Sequence, residues 1–279
     1  MAAINTWGVE ISEAALSSRE IEYLNALPQE LPENPWVWDE LDRVWDELNL
    51  NNRLPLSAQP IGEFYSHPVW LMNGIFSAVD PVSLGHRRAI AAWFSQQRTI
   101  RIGDYGGGFG ELALQIVRAT RDASVSIIEP YASRAALERI HEEPRIRMVP
   151  DFDVDPYDAI IAQDVLEHVE DPISLAWRIA SAVRHGGYAV YANCYWPFIK
   201  CHLPSVFHLR FTFRWVMSAM GLRYVGRISG APQAQIFVRI GSLDLRRARR
   251  AERLSRFLGP VLNDMAILKG RVKGVFVSQ

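Results

Sequence analysis

The chain is predicted to fold as an α/β protein, a doubly wound and mostly parallel sheet of seven strands preceded by a helical N-terminal cap. Three observations lead there. Between about residues 85 and 240, short β-rich runs alternate with amphipathic runs of helix length, the pattern of a parallel sheet covered on both faces. One β-rich run passes directly into a glycine-dense turn, Asp104-Tyr-Gly106-Gly107-Gly108-Phe-Gly110, and then into an apolar-periodic helix. Finally, 279 residues with 49% hydrophobic side chains suffice for one large domain with a sizeable appendage.

Residues 1–84 stand outside the alternation. They hold five of the nine tryptophans (Trp7, Trp36, Trp38, Trp45 and Trp70), and prolines at 28, 32, 35, 55 and 60 cut them into short pieces. Helices are expected near Ser12–Ala26 and Trp36–Leu48, with Ser17-Ser-Arg-Glu20 able to cap a helix start. The region reads as a cap whose tryptophans form core, or as a lid that lends an aromatic to a substrate.

From residue 85 to 241 the expected order is a helix near Gly85–Gln96, strand 98–103, helix 110–121, strand 124–129, helix 131–141, strand 145–149 and strand 157–163. Asp171-Pro172 then opens a helix, as N-cap and first position. Ile173, Ala176, Ile179, Ala180 and Val183 form its buried stripe, and Gly186 is expected to end it. Strand 188–193, a helix near Thr212–Met220 and strands near 222–229 and 234–240 follow. The last two strands, joined by Gly-Ala-Pro-Gln, read as antiparallel. Residues 242–279 form a tail that opens with the basic helix Leu245–Leu258. That helix suits a solvated surface, or docking to an anionic partner or membrane surface. The segment Val275-Phe-Val has no assigned place.

A net charge of −1 argues against a nucleic-acid binder that works by neutralising phosphates. Two cysteines, Cys194 and Cys201, indicate no disulfide framework. Neither a secretory signal pattern nor an apolar run of membrane-spanning length is evident, so a cytoplasmic location is expected. The spacing Cys194-x6-Cys201-His202-x5-His208 fits no common zinc pattern, and no metal is expected.

The glycine turn admits two nucleotide readings. A dinucleotide fingerprint would be Gly108-x-Gly110-x-x-Ala113, with Glu129 as ribose acid 21 positions on, which would make the chain an NAD-dependent oxidoreductase. The alternative is Asp104-x-Gly106-x-Gly108-x-Gly110, with the acid ahead of the glycines. A carboxylate at the mouth would repel a pyrophosphate and suits a sulfonium ligand bearing an amino group. Downstream spacing favours the second reading. A β-branched strand ends in Glu129, another ends in Asp151-Phe152, and then come Asp164-Val-Leu-Glu-His168-Val-Glu-Asp-Pro172 and His185-Gly186-Gly187.

Over roughly residues 85–240 this ordered set resembles the class I S-adenosylmethionine-dependent methyltransferases, in particular the small-molecule branch with a D-x-L-E-H-V-x-D-P segment. The resemblance implies a Rossmann-like fold, S-adenosylmethionine as cofactor with S-adenosylhomocysteine as product, and methyl transfer to a small-molecule acceptor by in-line displacement. Carried over by position, Asp104, Gly106, Gly108 and Gly110 cradle the methionine portion and ribose. Glu129 takes the ribose hydroxyls, Asp151 and Phe152 frame the adenine (with Asp153 and Asp155 as rivals), and Gln163 or Asp164 meets the amino group. If the acceptor is a hydroxyl, a base matters and a histidine is the natural choice, with His168, His202 and His208 as the candidates. His168 also reads as a fold buttress. His208-Leu-Arg-Phe-Thr resembles the family's H-x-R-x-x-T stretch with the threonine one position early, which favours a structural contact. His202 and Tyr195 are the stronger candidates for touching substrate. A non-catalytic descendant that keeps the fold as a binding protein is the remaining alternative.

Overall fold

The structure is a computed structural model and describes residues 2–53 and 55–277, with side chains of the final helix described through residue 268. The N-terminal region opens with a hairpin that the sequence reading missed, β1 (Ala3–Thr6) and β2 (Val9–Ser12), paired antiparallel. Its two-residue turn has both Trp7 (φ 52) and Gly8 (φ 89) in the left-handed region, the geometry that matches the twist of a tight hairpin. Strands of four residues carry too little periodicity to stand out beside the helical stretches that follow. The helix expected over Ser12–Ala26 is split into a 3-10 turn (Glu13–Ala15) and α1 (Ser18–Asn25). A full capping box between Ser17 and Glu20 starts the latter. Helices α2 (Asn34–Glu47), α3 (Ala58–Tyr65) and α4 (Pro68–Val79) complete this region.

The alternating part begins with α5 (Pro81–Gln96) and runs β3 (Arg101–Tyr105), α6 (Glu111–Ala119), β4 (Ser124–Ile128), α7 (Arg134–Ile140), β5 (Ile146–Val149), β6 (Tyr157–Gln163), α8 (Pro172–Ala182), β7 (Val183–Ala192), α9 (Phe213–Met220), β8 (Leu222–Ile228) and β9 (Ala231–Arg239). The seven strands order as β5-β4-β3-β6-β7-β9-β8, and β9 alone runs against the rest. Asp171 caps α8 by accepting from Ser174 N. Two boundaries differ from expectation. Gly186 does not end α8: the helix stops at Ala182 because the buried Val183 already pairs with Tyr157, and Gly186 (φ 77) lies within β7. The β8–β9 link is only Ser229-Gly230, with Ala231 already in the ladder.

Helices α5 and α6 pack one face of the sheet through Ile90, Phe94, Leu112 and Ile116 against Ile102, Ile161 and Val190. Helices α8 and α9 cover the other through Ile173, Ala176, Phe213 and Met217 against Ile160, Tyr191 and Phe237. The N-terminal helices join this second core, with Trp45 buried edge-on against Phe64 (5.1 Å). The chain finishes with α10 (Leu245–Val277), which packs its first turns on α9, α8 and the 3-10 segment Pro204–Leu209. No helix among the described residues is long and apolar enough to cross a membrane.

Candidate active site

Strand order reverses between β3 and β6, and the crevice beyond their carboxyl ends is where an open α/β sheet binds its ligand. The glycine turn fills the β3 side. Gly106 N donates to Ile128 O and Gly110 N to Gly107 O, both at 2.9 Å, and Gly106, Gly108 and Gly110 all have positive φ. A Cβ at Gly107 would stand 2.6 Å from Asp104 Oδ2 and 2.9 Å from Ile127, so this glycine, absent from the sequence-derived set, is demanded by close approach. Asp104 therefore lies beneath the turn and not at its mouth. It is 1% exposed, its Oδ2 has no hydrogen-bond partner, and burial raises its pKa to about 7, with Glu129 adding and Arg87 opposing. By contrast, a Cβ at Gly108 would meet nothing within 4 Å. Bare backbone facing open space above an unpartnered acid fits a ligand that carries both a polyol and a cation.

Glu129 closes β4 and reaches over the turn. Its Oε2 accepts from Gly108 N at 3.1 Å and its Oε1 from Tyr131 N at 2.9 Å, which fixes the carboxylate while leaving each oxygen a further lone pair. Burial raises its pKa and the two backbone bonds oppose that shift. In the loop just past β5, Phe152 stacks on Tyr105 (5.4 Å, 22°), and the Arg178 guanidinium lies 5.5 Å from the Phe152 ring centre. Asp151 pairs with Arg178 at 2.9 Å. The rivals sit elsewhere. Asp153 binds Arg101, Arg147 and Tyr157, and Asp155 binds Arg101; Arg101 and Tyr157 are the first residues of β3 and β6, so both acids are held at the amino ends of the strands. At the end of β6, Gln163 Nε2 donates to Asp164 Oδ2 (3.1 Å) while Gln163 Oε1 is buried without a partner. Asp164 is exposed and held in the left-handed region (φ 53) by a 2.7 Å bond from its N to Ala192 O. A non-glycine residue in that region is strained by an amount typical of functional turns.

A second group of side chains adjoins the first. His168 and His202 meet edge to face at 4.8 Å, and Trp70 of α4 stands edge-on to His168 at 6.0 Å. Tyr65 of α3 packs on Trp70 (5.2 Å) and stacks on Tyr131 (5.6 Å), two residues beyond Glu129. The N-terminal region thus covers the crevice, and α4 touches the glycine turn itself, since a Cβ on Gly74 would fall 2.6 Å from Phe109. His168 Nδ1 faces Cys201 O (3.1 Å) and His202 Nδ1 faces Trp196 O (2.7 Å). Because a carbonyl only accepts, both imidazoles carry their proton on Nδ1 and present a bare Nε2. Burial lowers both pKa values, that of His168 to about 3. Tyr195 is buried against Phe213 with its hydroxyl unpartnered.

Three of these groups were not in the sequence-derived set. Glu167 is fully buried. Its Oε1 accepts from Cys194 N at 2.5 Å, its Oε2 has no partner, and burial together with Asp164 raises its pKa to about 8. It lies in the Leu-Glu-His-Val stretch, where it was readable. Tyr65 and Trp70 carry an unpartnered hydroxyl and indole N–H; Trp70 is one of the five cap tryptophans, and nothing in its local sequence marks Tyr65. His208 stands apart from this group, bonded through Nδ1 to Ser255 of α10 at 2.7 Å and covered by Gly259. Among the described residues no group of three or more His, Cys, Asp or Glu side chains could hold a metal ion.

A family described as a methyltransferase domain matches residues 84–225, about half of the chain. The fold is similar to LaPhzM (TM-score 0.55, 16% identity, 76% of this chain and 73% of that one). It is also similar to an O-methyltransferase family protein from Burkholderia thailandensis (TM-score 0.51, 16% identity, 78% and 74%). No curated protein matches. The family match agrees with the methyltransferase reading and not with the dinucleotide-dependent oxidoreductase.

Proposed function

The chain belongs to the methyltransferase-domain family, whose cofactor is S-adenosylmethionine, and on that premise we propose that it methylates a hydroxyl of a small, partly aromatic molecule seated under the N-terminal helices. The reading rests above all on one arrangement: Glu129 pinned across Gly108, above the unpartnered Asp104, at the point where strand order reverses. When bound, the cofactor supplies an electrophilic methyl group on a sulfonium centre.

The residues divide the work by position. Glu129 accepts the ribose hydroxyls with the lone pairs that Gly108 and Tyr131 leave free. Gly106, Gly108 and Gly110 let the backbone approach without side chains between, and Asp104 offers a carboxylate to the methionine ammonium from beneath. Phe152, stacked on Tyr105, supports the adenine face, with Asp151 beside it for the exocyclic amine. Gln163 and Asp164 border the cationic end. Tyr65, Trp70 and Tyr195 wall the acceptor pocket; the Trp70 indole N–H is free to donate to the acceptor, and the two tyrosine hydroxyls to donate or accept. His202 or His168 removes the hydroxyl proton through its bare Nε2, while the surrounding aromatics exclude water. His208 keeps α10 in place. In this scheme residues 1–84 are the lid, 85–241 the catalytic domain and 242–279 an accessory tail.

Titrating the full chain with S-adenosylhomocysteine tests the cofactor site directly, and absence of heat at millimolar ligand would end the proposal. A panel of phenols and hydroxylated heterocycles with labelled S-adenosylmethionine then tests the acceptor class. Transfer only to amines or carbon acids would refute the hydroxyl assignment.

A further inference from the structure

The last helix carries a surface that methyl transfer does not use. On α10 the residues Ala248, Ala251, Glu252, Ser255 and Gly259 face the body of the protein and are buried. Roughly a third of a turn around the helix, Arg247, Arg250, Leu254, Phe257, Leu258, Val261, Met265 and Leu268 form one stripe, recurring every three or four residues apart from the adjacent pair Phe257 and Leu258. All of them are exposed, Phe257 at 78% and Leu268 at 64%. The apolar part of this stripe is about 21 Å long at helical rise. Scattered exposed leucines need no explanation, but a contiguous apolar stripe on one face marks a contact surface.

Charge decides what the surface suits. Residues 245–279 hold nine Lys and Arg against two Asp and Glu, although the whole chain sums to −1. Arg249 is tied to Asp171 and Glu252, and Arg256 to Glu252. Arg246, Arg247, Arg250 and Arg253 make no ion pair among the described residues and are exposed. Pairing this stripe with its copy in a parallel dimer would lay two sets of free guanidinium groups side by side. An apolar face flanked by uncompensated cations, on a helix not apolar enough to cross a bilayer, is instead the pattern of a helix lying in a headgroup layer.

We infer that the exposed face of α10 docks the enzyme on an anionic lipid surface, with Phe257, Leu258, Val261 and Met265 entering the boundary of the acyl chains and the free arginines meeting the headgroups. The body-facing side of the helix stays on α9 and the 3-10 segment, so docking needs no unfolding. The partner is the bilayer, and the substrate pocket takes no part in the contact.

Flotation of the full chain with vesicles tests this. The protein should float with phosphatidylcholine vesicles that contain phosphatidylglycerol, stay behind with phosphatidylcholine alone, and be stripped by high salt. Two double variants, Phe257→Glu with Leu258→Glu and Arg247→Glu with Arg250→Glu, should each lower partitioning by about an order of magnitude or more. Thermal unfolding and S-adenosylhomocysteine binding should stay as in wild type, which separates loss of docking from loss of fold. Equal flotation with neutral vesicles, or none with either kind, overturns the inference. So does a dimer seen by light scattering that Phe257→Glu with Leu258→Glu dissolves while wild type ignores vesicles; that result would assign the stripe to a second copy.

Discussion

Replacing Glu129 is the sharpest test of how this crevice holds its cofactor. The carboxylate already commits one lone pair per oxygen to Gly108 N and Tyr131 N, so it is oriented before a ligand arrives and loses little rotamer entropy on binding. Each charge-assisted bond to a ribose hydroxyl is worth roughly 1.5–3 kcal/mol against vacancy. With water taking part of the place, two such bonds should cost about 2–4 kcal/mol in Glu129→Ala. That is about 30- to 1,000-fold in the Kd for S-adenosylhomocysteine, read by isothermal titration. Stability should move little. The variant loses two bonds to backbone N–H groups at a partly buried position and also sheds the cost of burying a charge, so a Tm change of no more than a few degrees is expected. Glu129→Gln should behave like the alanine variant, because one amide oxygen cannot accept from both N–H groups and the amide NH2 would face one of them. Affinity within about threefold of wild type in a well-folded Glu129→Ala protein would refute the ribose assignment.

Three other outcomes follow from the same geometry. Gly108→Ala places a methyl group in open space at φ 50, so the fold should survive with a loss of about 1 kcal/mol while cofactor binding falls at least tenfold; undiminished binding in titration would show that the ligand lies elsewhere. Asp104 has a folded pKa near 7 against an ordinary value of 3.8, so the stability tied to its protonated form is complete below about pH 4 and is lost as pH rises through 7. Urea unfolding should therefore show Asp104→Asn losing less stability than wild type between pH 5 and pH 8, by on the order of a few kcal/mol, and parallel pH profiles would contradict the buried acid. His202→Asn should lower kcat by about 10²- to 10⁴-fold without changing S-adenosylhomocysteine affinity. Because burial lowers the His202 pKa, the base stays neutral as pH falls, and the acid limb of the wild-type rate should lie below 6.5. A fully active variant would remove His202 from the chemistry.

Local chemistry carries much of this protein. The turn Asp104–Gly110, the capping box at Ser17–Glu20 and the Asp171-Pro172 helix start each depend on residues adjacent in the chain, so each is legible from a short stretch of residues alone. Strand ends are less legible. A strand stops where its neighbour's ladder stops: Val183 leaves α8 because Tyr157 is there to pair with it, and no property of Val183-Arg-His-Gly announces that.

The amino-acid sequence by itself determined the alternation of strands and helices, the acid-first glycine turn and the carboxylate closing β4, since hydrophobic period, backbone freedom and charge at a strand end are properties of short segments. Tertiary structure alone decided which carboxylates and imidazoles share a space. Asp151 and Asp153 are two residues apart, yet only the latter is bound by Arg101 and Tyr157 at the amino ends of the central strands. His202 and His208 flank one loop, but the first meets His168 and the second Ser255 of α10. Tyr65 and Trp70 reach Tyr131 and His168 across gaps of 66 and 98 residues. Contacts between such distant segments depend on how whole elements pack, and no short-range pattern encodes that.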